Sequence, residues 1–516
     1  MRKWGPLLAI SPAALMLLID ITIAMVALPD MADDLGSSYT DLQWVMDAYS
    51  LALATVLMGA GSLADRVGRK RVFVWGTGLF TVASALCAFS PDTGTLIAAR
   101  ALQGIGGAAM FATTLALLGL AYEGRDRGVA FGVWGAVSGA AAAIGPVLGG
   151  VLTEHVGWEA VFLVNLPVGV LAIAMTLRLI TESYGDRNAR VDVPGTATFT
   201  AGAGLLTYGL IRAGGHGWDD GLTLGVLAGS AAALVAFVVV EYRTAQPMLE
   251  LRLFRRASFA GIMAGCMFMQ FAAFSCFPQV SVWFQSVLGY GPVKAGLALL
   301  PMAGTAFIVA AAASGPLTAV PPRYPIGVGI VLVGTGSLVL TLLDTGSDWT
   351  TLVPGLVLIG AGIGLGMPQM AAAAYAAVPP ERSGMAGGAL NTFRQLGFAL
   401  GVAVVGVVFR AAVGDSVDGT AAAGSDPHAT AEALGGGQAG RIVGSAPADK
   451  RGAVADAIHH AFATGLDRVF VVCGVIGVAA GVLVLLTVDT SPESASAGRG
   501  APEQASAAAD QAAAET

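Results

Sequence analysis

The chain has 516 residues, of which 55% are hydrophobic and only 12% charged, and its mean hydropathy is +0.73. Such a composition excludes an ordinary soluble enzyme and implies a chain that crosses a bilayer many times. The net charge of -7 is divided among loops on two sides of a membrane, which leaves no footprint for nucleic acid.

Taken from the start, Arg2 and Lys3 precede an apolar run over 7 to 29 that is longer than a signal-peptide core and contains Asp20, so it reads as an uncleaved first helix. Counting apolar segments of about 17 to 25 residues gives fourteen expected spans. The first six cover 7–29, 43–62, 72–89, 95–120, 130–152 and 160–179. A pair follows at 195–211 and 222–240, and six more at 259–284, 295–313, 325–343, 351–373, 384–409 and 465–487. The expected architecture is an all-α polytopic membrane protein. Residues 1–194 form an N-terminal six-helix half, 195–258 two inserted helices with a cytoplasmic linker, and 259–490 a C-terminal six-helix half. Faint internal echoes support the division: Gly315, Leu317 and Arg323 repeat the spacing of Gly61, Leu63 and Arg69, and Gly362 and Gly364 repeat Gly104 and Gly106.

With the N-terminus inside, Lys and Arg concentrate on that side, so both termini are expected in the cytoplasm. The first outer loop, with Asp30, Asp33, Asp34, Asp41 and no cation, agrees. The long outer loop 410–464 is rich in Gly, Ala, Ser and Asp and reads as mobile, with 448–463 lying along the outer interface. The tail 491–516 reads as disordered. Cys87, Cys266, Cys276 and Cys473 all fall in apolar spans as small hydrophobes, and His459-His460 reads as a solvated pair. No metal and no cofactor is implied.

Ionisable residues inside spans are costly and mark function by default. They are Asp20, Asp47, Arg100 and Arg394. The helical rise puts Asp20 about 13 Å and Asp47 about 7 Å below the outer ends of their spans, with Arg100 roughly level with Asp47. The three fit one cavity, where a carboxylate carries a proton or attracts a cation; the plain alternative is an Asp47–Arg100 pair that only staples spans 2 and 4. Arg394 has no acidic partner at its depth, leaving helix carbonyls or an anionic group. Span 5 is small-faced, with Gly145, Pro146, Gly149 and Gly150, which suits close packing and a kink. Met263, Met267, Phe271 and Phe274 of span 9 either line a substrate cavity or face lipid.

Between spans 2 and 3 lies Gly61-Ser-Leu-Ala-Asp65-Arg66-Val-Gly68-Arg69-Lys-Arg71, which reads as a tight, charged, cytoplasmic loop. It resembles the signature loop of the major facilitator superfamily of transporters. Arg100-Ala-Leu-Gln-Gly-Ile-Gly-Gly resembles the family's helix-4 motif, and Ile144-Gly-Pro-Val-Leu-Gly-Gly its antiporter motif. Asp20-x-Thr-Ile-x-x-Val-Ala-Leu-Pro, Leu42-Gln-Trp-Val-x-Asp-Ala-Tyr, Pro247-Met-Leu-Glu-Leu-Arg-Leu-Phe, Leu288-Gly-Tyr-Gly-Pro and Asn391 to Gln395 are similar to the 14-helix drug:proton antiporters. Two positions depart from that pattern: Met25 replaces an asparagine, and Trp158-Glu-Ala replaces Trp-Arg-Trp.

The resemblance implies efflux of lipophilic, including cationic, drugs or antibiotics in exchange for protons across a bacterial cytoplasmic membrane, by a monomer. It implies proton coupling at Arg100, and gating by Gly61, Asp65, Arg66, Gly68 and Arg69 through a latch from Asp65 to the start of span 13 or to Arg382. A dedicated exporter of one self-made metabolite and a non-transporting membrane sensor are the rival readings.

Overall fold

In hydrocarbon a backbone group has no water to bond, so an apolar chain must close its hydrogen bonds within helices. The computed structural model describes residues 3–122, 124–184, 192–245, 247–313, 320–378, 383–420, 422–423 and 427–488. Every regular element among them is helical. The long helices are α1 (Gly5–Leu35), α2 (Tyr39–Val67), α3 (Arg69–Ala88), α4 (Thr93–Ala121) and α5 (Gly124–His155). They continue with α6 (Ala160–Leu179), α7 (Val193–His216), α8 (Gly221–Arg243), α9 (Ala257–Val287) and α10 (Pro292–Ala313). The last are α11 (Arg323–Leu342), α12 (Trp349–Ala376), α13 (Ser383–Val417) and α14 (Arg451–Thr487).

Eleven of these helices are long and apolar enough to cross a membrane, and α1, bent by 43° between Gly5–Asp20 and Thr22–Leu35, makes twelve. α5 and α7, of 32 and 24 residues, occupy the other two expected positions. Outward-facing Trp75, Val82, Phe89, Val170, Leu171, Val235, Ile308 and Leu486 supply the apolar surface that lipid requires.

Local chemistry fixes the ends. Ser38 and Asp41 form a reciprocal capping box at α2, and the carboxylates of Asp92, Asp192 and Asp220 cap α4, α7 and α8. α2 and α3 are separated by Gly68 alone, at φ 121°, a conformation that favours glycine. This corrects the expectation of a charged loop: Gly61 to Val67 is the last part of a helix, because nothing in that stretch breaks the helix before Gly68.

Both glycine pairs of the internal echo sit at close helix contacts, though not position for position: Gly104 meets α2 and Gly106 α3, whereas Gly362 meets α11 and Gly364 α10. α4 approaches α2 at Gly104, where an added Cβ would strike the Tyr49 carbonyl, and α3 at Gly106, against Phe80. α12 likewise approaches α10 at Gly364, against Ala306, and α11 at Gly362, against Gly329 and Val333. Gly315, Leu317 and Arg382 lie outside the described residues, as does the tail 491–516.

The outer segment differs from its expected irregularity. α13 continues to Val417, two short helices follow at Pro427–Gly435 and Ala439–Ser445, and α14 begins at Arg451. Residues 451–463 are the start of α14, and Val454, Ile458, Ala461 and Phe462 are buried rather than laid on an interface. Phe462 meets Phe409 at a ring separation of 5.4 Å. Alanine-rich sequence is compatible with helix once an apolar face has something to pack on, and the extended ends of α13 and α14 supply it.

Candidate functional site

Asp20 lies at the bend of α1. Thr22 helps to make that bend, since its hydroxyl donates to the Ile19 carbonyl at 3.1 Å and so loosens the regular ladder. The carboxylate receives three donors from two other helices. Arg100 of α4 donates through Nη1 to Oδ2 at 2.5 Å, Gln103 through Nε2 to Oδ1 at 2.7 Å, and Asn165 of α6 through Nδ2 to Oδ1 at 3.0 Å. Gln103 also accepts from Arg100 at 2.6 Å, and the Ser84 hydroxyl of α3 accepts from Gln103 at 2.9 Å and Asn165 at 3.3 Å. The guanidinium Nε donates to the Val45 carbonyl at 3.1 Å, and its carbon lies 4.3 Å from the Tyr49 ring centroid. Asp20 and Arg100 are both 0% exposed.

A buried pair of this kind is neutral only while both members are charged. A proton added to Asp20 leaves Arg100 with one carbonyl, one amide oxygen and ring faces to offset its charge, and an uncompensated buried charge costs about 3–5 kcal/mol. The network thereby ties α1, α3, α4 and α6 together.

The alternative Asp47–Arg100 pair does not form. Tyr49 turns its ring to Arg100, and a residue two positions earlier points to nearly the opposite side of the helix. Asp47 is 0% exposed, and among the described residues neither of its oxygens has a hydrogen-bond partner. Arg394 meets neither a carbonyl nor a carboxylate among the described residues; its guanidinium carbon lies 5.3 Å from the Phe111 ring centroid.

At the junction of α2 and α3, Asp65 pairs with Arg69 one turn away, at 2.7 Å to Nη2 and 2.8 Å to Nε. The segment after α6 completes this corner. Glu182 accepts from the Lys70 backbone N–H at 2.9 Å and pairs with Arg71 at 3.7 Å, and the Arg69 N–H donates to the Ser183 carbonyl at 2.9 Å. Asp65 in α2 is thus paired across the break at Gly68 with the first residue of α3, while Arg382, the other partner expected for it, lies outside the described residues. Gly61 lies beside Ala112 of α4, and Arg66 falls in the last turn of α2.

In α5, Gly145 and Gly149 face α1, where an added Cβ would collide with Thr22 and with the Ile23 carbonyl. Gly150 faces α10, against the Pro292 carbonyl, while the Pro146 carbonyl closes on Gly296. Of the span-9 residues, Met263 and Phe271 are buried in the core of α9, and Met267 and Phe274 are half-buried; the Met267 carbonyl is packed against Gly397 of α13.

Gln103, Asn165 and Ser84 were not legible as site residues. Gln103 carried the clearest signal, since it lies one turn from Arg100 on the same face of a membrane helix.

The family model of the Major Facilitator Superfamily matches residues 10–402, and the chain belongs to that family. It is 32% identical to the tetracenomycin C resistance and export protein of Streptomyces glaucescens, over 95% of this chain and 93% of that protein. It is 37% identical to the puromycin resistance protein pur8 of Streptomyces alboniger, over 84% and 86%. The multidrug efflux pump LfrA of Mycolicibacterium smegmatis is 31% identical, over 94% and 96%. Among solved structures, an inward-facing bacterial homologue of the human lysosomal transporter Spinster superposes with a TM-score of 0.63 at 17% identity, covering 94% of this chain and 97% of that one. A peptide transporter in complex with sulfate gives 0.61 at 15%, covering 95% of each. These two likenesses concern the fold. The chain is a multi-pass membrane protein of a transporter family.

Proposed function

We propose that this protein exports lipophilic, including cationic, drugs or antibiotics from a bacterial cell in exchange for protons, with Asp20 as the proton carrier. The observation that carries the reading is the Asp20–Arg100–Gln103–Asn165 network, a single titratable carboxylate held by α1, α4 and α6 with no exposure to solvent. In this reading fourteen helices cross the bilayer as two six-helix halves, 1–194 and 259–490, with the 195–258 pair inserted between them and both termini inside. The halves alternate access to one side and the other. Proton arrival at Asp20 accompanies substrate release, frees Arg100 and loosens α1 against α4; proton departure, as a new substrate binds, restores the pair. Asp65 and Arg69 with Gly68 brace the inner corner of α2 and α3, and the glycine face of α5 holds it against α1 and α10.

The relatives favour efflux, since their names concern resistance, export or multidrug efflux. Some of those names carry one antibiotic, which supports a narrower second reading, a dedicated exporter of one metabolite.

The test is proton release from acidified inside-out vesicles on adding a panel of lipophilic cations and neutral antibiotics. Wild type should lose its pH gradient on substrate addition, and Asp20→Asn should not. A substrate-triggered loss that persists in Asp20→Asn overturns Asp20 as carrier, and response to one compound alone favours the dedicated exporter.

A further inference from the structure

The face of α2 that does not see Arg100 carries a second group of buried polar atoms. Gln43, Asp47 and Ser50 stand one turn apart on it, and they are 3%, 0% and 1% exposed. Gln43 Oε1, both Asp47 oxygens and Ser50 Oγ have no hydrogen-bond partner among the described residues.

This face looks onto two other helices, whose register is set by several contacts. Against α13, the Gln43 amide donates to the Val402 carbonyl at 3.0 Å, and the Thr392 hydroxyl donates to the Ala54 carbonyl at 3.0 Å. The two helices run antiparallel, so Asp47 comes level with Phe398 and Ala399. Against α7, Trp44 meets Tyr208 at a ring separation of 6.2 Å, and Leu51 packs with Ala203 and Ala399. That register brings Thr207, one turn outward from Ala203 on the same face of α7, level with Asp47. Thr207 is 0% exposed and its hydroxyl is also unpartnered among the described residues.

The hydroxyls of Ser50 and Thr207 share with those of Thr153, Thr176 and Ser183 the lack of a hydrogen-bond partner among the described residues. Those of Thr55, Thr77, Thr81, Ser84 and Thr113 donate back to a carbonyl one turn earlier on their own helices, whereas Ser50 and Thr207 do not. Leu51, Ala203 and Ala399 form an apolar floor beneath the group. Above it, Arg410 of α13 donates to the Thr40 hydroxyl at 2.7 Å and the Ile211 carbonyl at 3.2 Å and pairs with Glu432 at 3.2 Å. Arg410, Glu432 and Tyr39 are the ionisable groups on the outward side, and the first two already satisfy each other.

Five unpartnered oxygens, one carboxylate among them, make a site rich in acceptors and poor in donors. Its complement is a ligand that brings N–H donors and a positive charge together. The apolar floor and the Trp44–Tyr208 wall suit the carbon skeleton attached to such a group.

We propose that the junction of α2, α7 and α13 is a subsite in which Asp47, Gln43, Ser50 and Thr207 take the protonated amine of an exported compound. The proposal rests on the exporter reading and gives the inserted helix α7 a direct part in substrate choice. Proton and substrate then occupy different carboxylates, Asp20 and Asp47, on opposite faces of the α2 wall.

The test uses the full chain in lipid nanodiscs and two fluorescent probes of matched skeleton, dansylcadaverine, which carries a primary ammonium, and its uncharged N-acetyl derivative. Wild type should bind the amine roughly tenfold more tightly or better, the range expected for charge-assisted hydrogen bonds. Asp47→Asn should bring the two affinities together, Asp47→Glu should retain the preference as proof of a folded site, and Thr207→Val should reduce it about threefold. A wild type without amine preference, or a preference that survives Asp47→Asn, overturns the subsite. If wild-type vesicles still exchange protons for other compounds, the exporter reading stands without it. Amine preference in a protein that exchanges protons for nothing on the panel overturns the exporter reading alone.

Discussion

Asp20 and Asp47 are both removed from solvent, yet one is held by three donors and the other by none among the described residues. Burial is the same and the energetics are opposite. Around Asp20 the chain has gathered a cation and two amides from two other helices, which offsets the cost of desolvating its charge. Around Asp47 the cost is left standing, and an unsatisfied buried polar group is retained where a ligand or a proton completes it. Carboxylates with the same exposure can thus be fully partnered in one place and left without partners among the described residues in another.

The comparison breaks most readily at the paired site. Arg100→Ala should lower the stability of the purified protein by about 3–5 kcal/mol, because it strands Asp20. The double variant Asp20→Asn/Arg100→Gln should recover much of that loss in thermal unfolding without recovering proton exchange. If it recovers nothing, the two residues are not a coupled pair.

At the helix seam away from both carboxylates, Gly150→Ala should cost about 1–3 kcal/mol, since its methyl group meets the Pro292 carbonyl. A variant as stable as wild type would mean that α5 and α10 have room to part. At the unpaired site the sign should reverse: Asp47→Asn is expected to raise stability by about 1–2 kcal/mol, because it removes a buried carboxylate that nothing offsets. A destabilised Asp47→Asn would show that its oxygens have partners after all.

Glu432→Gln should weaken the contact with Arg410 and the Thr40 backbone N–H by about 1 kcal/mol. Faster hydrogen exchange over 427–435 is the corresponding readout. The smallest effect is expected for Asp65→Asn, whose pair with Arg69 is partly exposed and should contribute less than about 0.5 kcal/mol to unfolding. A large loss of stability there would mean that the corner is held more tightly than its exposure implies.

The membrane spans were legible because hydrophobic runs of the required length leave little choice of structure, and Asp20 and Arg100 stood out because charge is rare in such runs. Their pairing was not legible. Depth along a helix can be read from residue number, but the direction of a side chain depends on rotation, and Tyr49 rather than Asp47 faces Arg100. Gln103 and Asn165 are uncharged, so composition did not flag them. The segment 410–464 misled for another reason: Ala431, Leu434 and Ala439 are buried, and the flanking helices α13 and α14 reach to Val417 and from Arg451. Low-complexity composition does not show that the flanking helices run on far enough to give such a segment something to pack against.

Where α5 meets α10, Gly150 lies against the backbone of Pro292 and Gly296 against that of Pro146. Two main chains touch there with no side chains between them. Interlocked side chains resist rotation as gear teeth do, whereas bare backbone offers a smooth surface. The spacing of the two helices is therefore set by main chain alone, and any side chain added at Gly150 or Gly296 would force them apart.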